Sequence, residues 1–484
     1  MKCLPGCSDA FTPETLEMIK NAAFDIIGKI GMRATDKTLC RTLLGNGFSL
    51  RDGRLTYPEA EAASFLAALI AREESKRDEK NDDGKPPEGR RVLDGWINNY
   101  PHSFCDPETG KIMPYTMDSL TEMTAFCNRV CKKYNFTPNV PGCPKDVPPA
   151  CEAVARFVVG SKYLDGGTYP EPMCRHSTKY LFEMCDVLGR RMSSLPVYLS
   201  TPLTIGDESF FNVLEYQNRL ESVHIGSMPS FGASTPLSVS GGIALILAEV
   251  LMGAIIVNRL TGLETHIGVS LLPFDFKDVN LVFGTPEMPL LHSICNSFNN
   301  ALFNRAGNGG GVEIHTHALR PDSQAAAEKA MAMTVGYMTH VEWEPISFRG
   351  MGALAMDEVF SPAQLLVDAE LLNYIRRLDA GYEVDRIPND FLDEIRDGIE
   401  YGFISSQRTA SRHRQLMYHS DLFTRANFGK QMQAGFPGLE TRAAAAAMSE
   451  LAREPEMALA PDAARALDRL LEESVKNAGK RTKP

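Results

Sequence analysis

The sequence predicts an α/β fold: a (β/α)8 TIM-type barrel with a helical N-terminal extension and a helical C-terminal segment. Three observations predict it. From about residue 136, short extended runs recur at spacings near thirty to forty residues with amphipathic helical stretches between them, as strand-helix units of a parallel sheet require. Gly, Ser, Thr and aromatic residues gather at or just after the ends of these runs, as in loops that must come close to a ligand. No G-x-G-x-x-G opens a helix in the required context, which weighs against an open dinucleotide-binding sheet.

In chain order, residues 1–72 read as a helical cap. Thr12-Pro13-Glu14 supplies an N-cap and first turn, and Leu16, Ile19, Ala23, Ile26 and Ile27 share one helical face. Residues 73–91 hold 13 charged residues in 19 and no large apolar side chain, so they read as a solvated loop or linker. The barrel is assigned to residues 92–435. Its extended runs are Phe136–Gly142, Lys162–Tyr169, Pro196–Thr201, Ser222–Met228, Glu264–Ser270, Leu302–Gly307 and Val341–Phe348, with an eighth hidden. Gly241–Leu260 is apolar over a membrane-spanning length, but Glu249 in its middle would be expensive in lipid, so it reads as a buried core helix. Residues 436–484 read as a C-terminal helical tail, with an Ala-rich segment at Ala443–Ala447 and a peripheral polar end that carries Lys480 and Arg481.

A net charge of −11 without a clustered basic face argues against a nucleic-acid binder. The eleven cysteines lack paired metal-type spacing and read as reduced cytosolic thiols. The stretch Met1–Cys7 has no apolar run of signal-peptide length, so a cytoplasmic protein without membrane association is expected. The apolar helices make a homo-oligomer an expectation as well.

Several segments resemble consecutive signatures of the trimethylamine:corrinoid methyltransferase (MttB-like) superfamily. They are Asp146-Val147-Pro148-Pro149, Gly232-Ala233-Ser234-Thr235-Pro236, Ala248 to Gly253, Gly284-Thr285-Pro286-Glu287, Pro321-Asp322-Ser323-Gln324-Ala325 with Glu328-Lys329, and Gln364-Leu365-Leu366-Val367-Asp368. The resemblance runs in order from about residue 14 to residue 436. It implies a (β/α)8 barrel that moves a methyl group from a methylated amine to the cobalt of a separate corrinoid protein, with no tightly bound cofactor of its own. In pyrrolysine-containing members that residue lies shortly before the Pro-Asp-x-Gln segment, which corresponds here to a position at or beside His315. No pyrrolysine is present. The resemblance therefore implies the branch that demethylates quaternary amines such as betaines, although Thr316-His317-Ala318-Leu319 departs from the family pattern.

Glu313, His315 and His317 alternate after a triple glycine, so an extended backbone would turn all three to one face. They are the candidate catalytic residues, for acid-base work or recognition of a substrate carboxylate. A metal at the same three residues is an alternative reading; a methylated-amine binding protein without catalysis is another. Gly309, Gly310 and Gly311 are candidates for close approach to a cofactor. A quaternary ammonium is best held by aromatic faces, and the candidates are Tyr100, Phe104, Tyr169, Phe231, Trp343 and Phe348. Arg349 is placed to pair a substrate carboxylate.

Overall fold

Along Ser194–Ser200 the side chains of Leu195, Val197 and Leu199 are buried while those between them are more exposed, the period-two pattern of a strand with one face on a core. This strand pairs in parallel with Ser222–Ser227, which pairs in parallel with Glu264–Ile267. In the computed structural model, which describes residues 11–80, 92–206, 208–304, 311–340, 345–384 and 386–478, these strands form a first arc. A second arc runs Gly311–Glu313, Ile346–Arg349, Leu93–Trp96, again parallel, and Trp96 bridges onward to Thr137. The architecture is α/β. Among the described residues no ladder joins the arcs, so the expected barrel is not seen as one hydrogen-bonded ring.

The apolar segment is the helix Val239–Thr261, capped by the Ser238 side chain at its start and by left-handed Gly262 at its end. It is a buried core helix. Gly253 lets it sit hard against the first arc: a Cβ there would lie 2.9 Å from Ile225 and 3.0 Å from Leu199. Glu249 accepts hydrogen bonds from Thr201 Oγ1 at 2.7 Å and from the Leu203 backbone N–H at 2.8 Å, so it satisfies buried groups where the chain leaves the strand. Arg259 pairs with Glu61 and Tyr57. Glu249→Ala is expected to cost about 2–4 kcal/mol in urea denaturation, because it orphans the Leu203 N–H and leaves a cavity. Glu249→Gln, which keeps one acceptor, should lose less.

The N-terminal residues share the first arc's core: Ile19, Ala23 and Ile27 join one apolar cluster with Val197, Ile225 and the apolar helix. Arg33–Ala34 adds a strand beside Thr204–Ile205. Residues 73–80, read above as the start of a linker, are the last turns of the helix Glu59–Lys80. The charges are used there, since Glu73 pairs with His266 and Lys76 with Glu264. Residues 81–91 lie outside the described residues.

Four of the seven extended runs need correction. Phe136–Gly142 forms only the single bridge at Thr137, because side chains take its amides: Asp94 accepts from Thr137 N and Asn139 from Val140 N. Lys162–Tyr169 is the end of the helix Glu152–Tyr163 and a turn. Ala153 to Ser161 are all buried in that helix, so no polar face marked its period. Leu302–Gly307 begins as the end of the helix Glu287–Leu302 and then leaves the described residues. In Val341–Phe348 the strand is Ile346–Arg349, and 341–344 lie outside the described residues. The C-terminal helices pack on the rest of the chain, and the polar end read as peripheral, residues 479–484, lies outside the described residues. Leu439–Leu451 packs on the helix Pro362–Ala380, and Pro461–Asn477 packs on Arg175–Val187, with Leu467 and Ser474 fully buried.

Candidate active site

The strand Gly311–Glu313 ends at a carboxylate, and two residues later His315 is buried at 4% exposure. Both of its ring nitrogens meet carboxylates: Nε2 lies 2.7 Å from Glu313 Oε2 and Nδ1 lies 2.9 Å from Asp357 Oδ1. With an acceptor at each nitrogen the ring is an imidazolium. Burial works against that charge, but Asp357 and Glu313 outweigh it and raise the His315 pKa to about 10. Burial likewise pushes Glu313 and Asp357 up, and His315 more than reverses it, so both lie below the ordinary carboxylate range. Asp357 is also held by Asn98 Nδ2 at 2.6 Å, and Arg349 Nη1 stands 3.7 Å from Glu313 Oε1. Phe283, from the segment after the first arc, tilts over the imidazole with ring centroids 4.9 Å apart.

The linkage sign follows for each group. The His315 contribution to stability is fully present below its ordinary pKa of 6.5 and is lost as pH rises through about 10. The carboxylate contributions are present above their ordinary values of 4.5 and 3.8 and are lost as pH falls through their lowered ones. Imidazole NMR is therefore expected to show no His315 titration between about pH 6 and 8; a transition near the ordinary value would refute the clamp.

The backbone carrying Asp357 is strained. Ala355, Met356 and Asp357 have φ of 50°, 58° and 70°, three successive non-glycine residues in the left-handed region. The Ala355 and Met356 amides donate to the carbonyls of Ala318 and Thr316 and bind this turn to the loop after His315. Behind it, Lys329 Nζ donates to Gly350 O at 2.7 Å and to Asp368 Oδ2 at 2.8 Å, with both side chains wholly buried. Asp368 also accepts from Gly352 N and from Gln364. Gly350 has φ of +99° and a Cβ there would sit 3.1 Å from His315 Nδ1, so both conformation and space call for glycine.

A second cluster faces the same mouth. Tyr198, near the end of its strand, lies beside Tyr100. Burial, then the nearby Glu171 charge, raises the Tyr100 phenol well above its ordinary value. Arg156, 4% exposed, donates to Glu171 Oε2 at 3.2 Å and to Asn99 O at 3.1 Å.

The structure thus brings Glu313, His315 and Arg349 together and separates His317 from them. The strand ends at Glu313, so the alternation does not continue; the His317 amide donates to Glu328 and its Nε2 is buried without a partner. With both His315 nitrogens on carboxylates, no free donor set for a metal exists at Glu313, His315 and His317. Tyr100 is half exposed at the mouth. Phe348 is fully buried in the second core, and Phe104 is buried against Tyr115 at 5.2 Å between ring centroids, so neither offers an open face. Phe231 packs on the first core and Tyr169 is 75% exposed. Trp343, Gly309 and Gly310 lie outside the described residues; Gly311 is buried where a Cβ would strike Arg349. Asp357, Asn98, Tyr198, Glu171 and Arg156 were not singled out from sequence. Asn98 and Tyr198 sit at or just after strand ends, which is the signal that could have found them.

Parallel strands whose ends gather buried, charge-paired side chains at one mouth define an α/β protein with an enzyme-like centre. The sequence profile of the family described as Trimethylamine methyltransferase (MTTB) matches residues 190–478, more than half of the chain, and the chain belongs to that family. Among its relatives, trimethylamine methyltransferase MttB of Desulfitobacterium hafniense (strain DSM 10664 / DCB-2) is 24% identical over 380 residues, 75% of this chain and 73% of that protein. MttB of Methanosarcina barkeri (strain Fusaro / DSM 804) is 27% identical over 227 residues, 45% of this chain and 43% of that one. Glycine betaine methyltransferase of Desulfitobacterium hafniense (strain Y51) is 23% identical over 231 residues, 47% of each. The solved structure of Methanosarcina barkeri monomethylamine methyltransferase (MtmB) aligns with a TM-score of 0.46 and 11% identity, covering 93% of this chain and 89% of that one.

Proposed function

We propose that the chain demethylates a small quaternary amine of the betaine type and passes the methyl group to the cobalt of a corrinoid carried by a partner protein. The observation that carries this reading is the two-ended mouth. Arg349, its side chain 51% exposed and only loosely paired with Glu313, offers a guanidinium at one end, beside the His315 imidazolium whose charge Glu313 and Asp357 neutralise. Tyr100 and Tyr198 form an aromatic end, with Glu171, itself paired to Arg156, beside it. A betaine has a carboxylate for the first and a quaternary ammonium for the second. The betaine enzyme among the relatives supports the same class.

In methyl transfer from a quaternary nitrogen the C–N bond breaks and its electron pair stays on nitrogen, so the leaving amine is neutral and needs no proton. None of the groups named at the mouth is an activated nucleophile, which fits an acceptor brought from outside; a reduced corrinoid supplies one. The chain's own work is to bind, orient and exclude water. Arg349 fixes the carboxylate, the tyrosines hold the cation, and the His315 clamp keeps Glu313 and Asp357 in place beside that subsite.

The same reading takes the two arcs as parts of one eight-stranded barrel, supported by the pairing of the late strand Ile346–Arg349 with the early strand Leu93–Trp96, as closure requires. It includes a cytoplasmic chain, in keeping with nine described cysteines that are all free. It also includes self-association through the uncovered apolar residues between Tyr382 and Phe436. The test is methylation of cob(I)alamin in the presence of candidate amines. Turnover with a betaine is expected, and none across betaines, choline, carnitine and sulfonium analogues would overturn the reading.

A further inference from the structure

His102 and, some forty residues on, the stretch holding Cys143 and Glu152 bring different metal-ligand types to one place beside this mouth. His102 Nε2 lies 3.2 Å from Glu152 Oε2, and one ligand atom from each of His102, Cys143 and Glu152 lies within 4.8 Å of the others. We infer that His102, Cys143 and Glu152 form a binding site for a single zinc-type divalent cation, with a fourth coordination position left open. The inference stands apart from the proposed methyl transfer.

The donor set is the borderline mixture of imidazole nitrogen, thiolate sulfur and carboxylate oxygen that zinc prefers over magnesium or calcium. Bond lengths of about 2.0–2.3 Å in a tetrahedron put ligand atoms roughly 3.3–3.6 Å apart, so closing the set onto an ion needs shifts of about an ångström at most. The three ligands carry two negative charges once the thiol is ionised, which balances a divalent ion. Cys143 is 5% exposed and its thiol donates to Asn99 O at 3.3 Å; metal binding would release that proton to solvent and leave sulfur as the ligand. Burial raises the Cys143 thiol pKa, and Arg156 Nη1, 3.5 Å from the sulfur, offsets part of that rise. Lys145 lies 3.4 Å from Glu152 Oε1, the oxygen that does not face His102, so it need not be displaced. The Cys143 backbone N–H is tied to Pro101 O at 2.8 Å, which fixes the sulfur relative to His102. Three protein donors with an open vertex are the pattern of a reactive zinc site, whereas a structural site closes with four.

The experiment uses the full chain, purified without chelator, exchanged into metal-free buffer and titrated with Zn2+ and separately with Co2+. One equivalent of zinc per chain is expected, together with a sulfur-to-Co2+ charge-transfer band in the near ultraviolet. Cys143→Ser should abolish that band, and His102→Ala, at a 40% exposed side chain whose loss the fold tolerates, should weaken zinc binding at least tenfold with an unchanged circular dichroism spectrum. The band should survive in a Cys3→Ser/Cys7→Ser variant. Substoichiometric zinc, a band that persists in Cys143→Ser, zinc affinity unchanged in His102→Ala, or a band lost with Cys3 and Cys7 would each overturn the assignment.

Discussion

Lys329→Met is expected to destabilise the protein by about 3–5 kcal/mol in chemical denaturation, because it leaves Asp368 buried without its counter-ion. It also takes the donor from Gly350 O, so the glycine turn over His315 loosens with it. The pair cannot be replaced by two apolar residues at no cost. Asp368 still accepts from Gly352 N and Gln364, and removing it would orphan the Gly352 amide. Lys329→Met/Asp368→Asn, which keeps an acceptor and removes the charge, should recover most of the loss. The pH dependence gives a second check. Burial already raises the Asp368 pKa with Lys329 beside it, and the single variant raises it further. A carboxyl raised in the folded state stabilises below its unfolded pKa and loses that contribution as pH rises, so the deficit should shrink as pH falls from about 8 toward 4. A pH-independent deficit below about 1 kcal/mol would show that the pair is not a buried charge pair.

Asp357→Asn is the second large effect, and it acts on chemistry more than on folding. The amide oxygen still accepts from His315 Nδ1, but one of the two charges that hold the imidazolium is gone. The His315 pKa should fall from about 10 toward its ordinary value, and betaine-dependent methyl transfer should drop by about 10- to 100-fold at neutral pH. What separates this from general damage is the profile. The variant's rate should decline further as pH rises between about 6 and 8, where the parent is flat, and its NMR spectrum should gain an imidazole titration in the same range. A uniform loss with a flat profile would assign Asp357 to packing.

Much of the first arc is legible in the sequence because its strands are one-faced: Val223 and Ile225, like Val197 and Leu199, alternate with less buried neighbours. The second arc is harder to read. Gly311–Glu313 is three residues long and Ile346–Arg349 four, too short to show a period. The segments that carry the resemblance turn out to be joints. Asp322 caps the helix Ser323–Thr339, Lys329 and Asp368 meet as the buried pair, and Gly284 lies where a Cβ would collide with Glu328. That Glu313 and His315 meet was legible in their spacing, because two residues apart at a strand end their side chains lie on one side. Asp357 was invisible for a physical reason: its left-handed turn is made of Ala, Met and Asp, with none of the glycines that announce such a conformation. His102, Cys143 and Glu152 have a spacing that matches no ligand motif.

The two backbone bonds that fasten Ala355 and Met356 to Ala318 and Thr316 have a consequence for how the protein can diversify. Each loop is a template for the other, so a chimera that imports only one of them from a relative would inherit a mismatched half and lose activity, while one importing residues 313–318 and 350–358 as a unit would keep its pairing. Changes of specificity in this lineage should accordingly arrive as correlated exchanges across that seam.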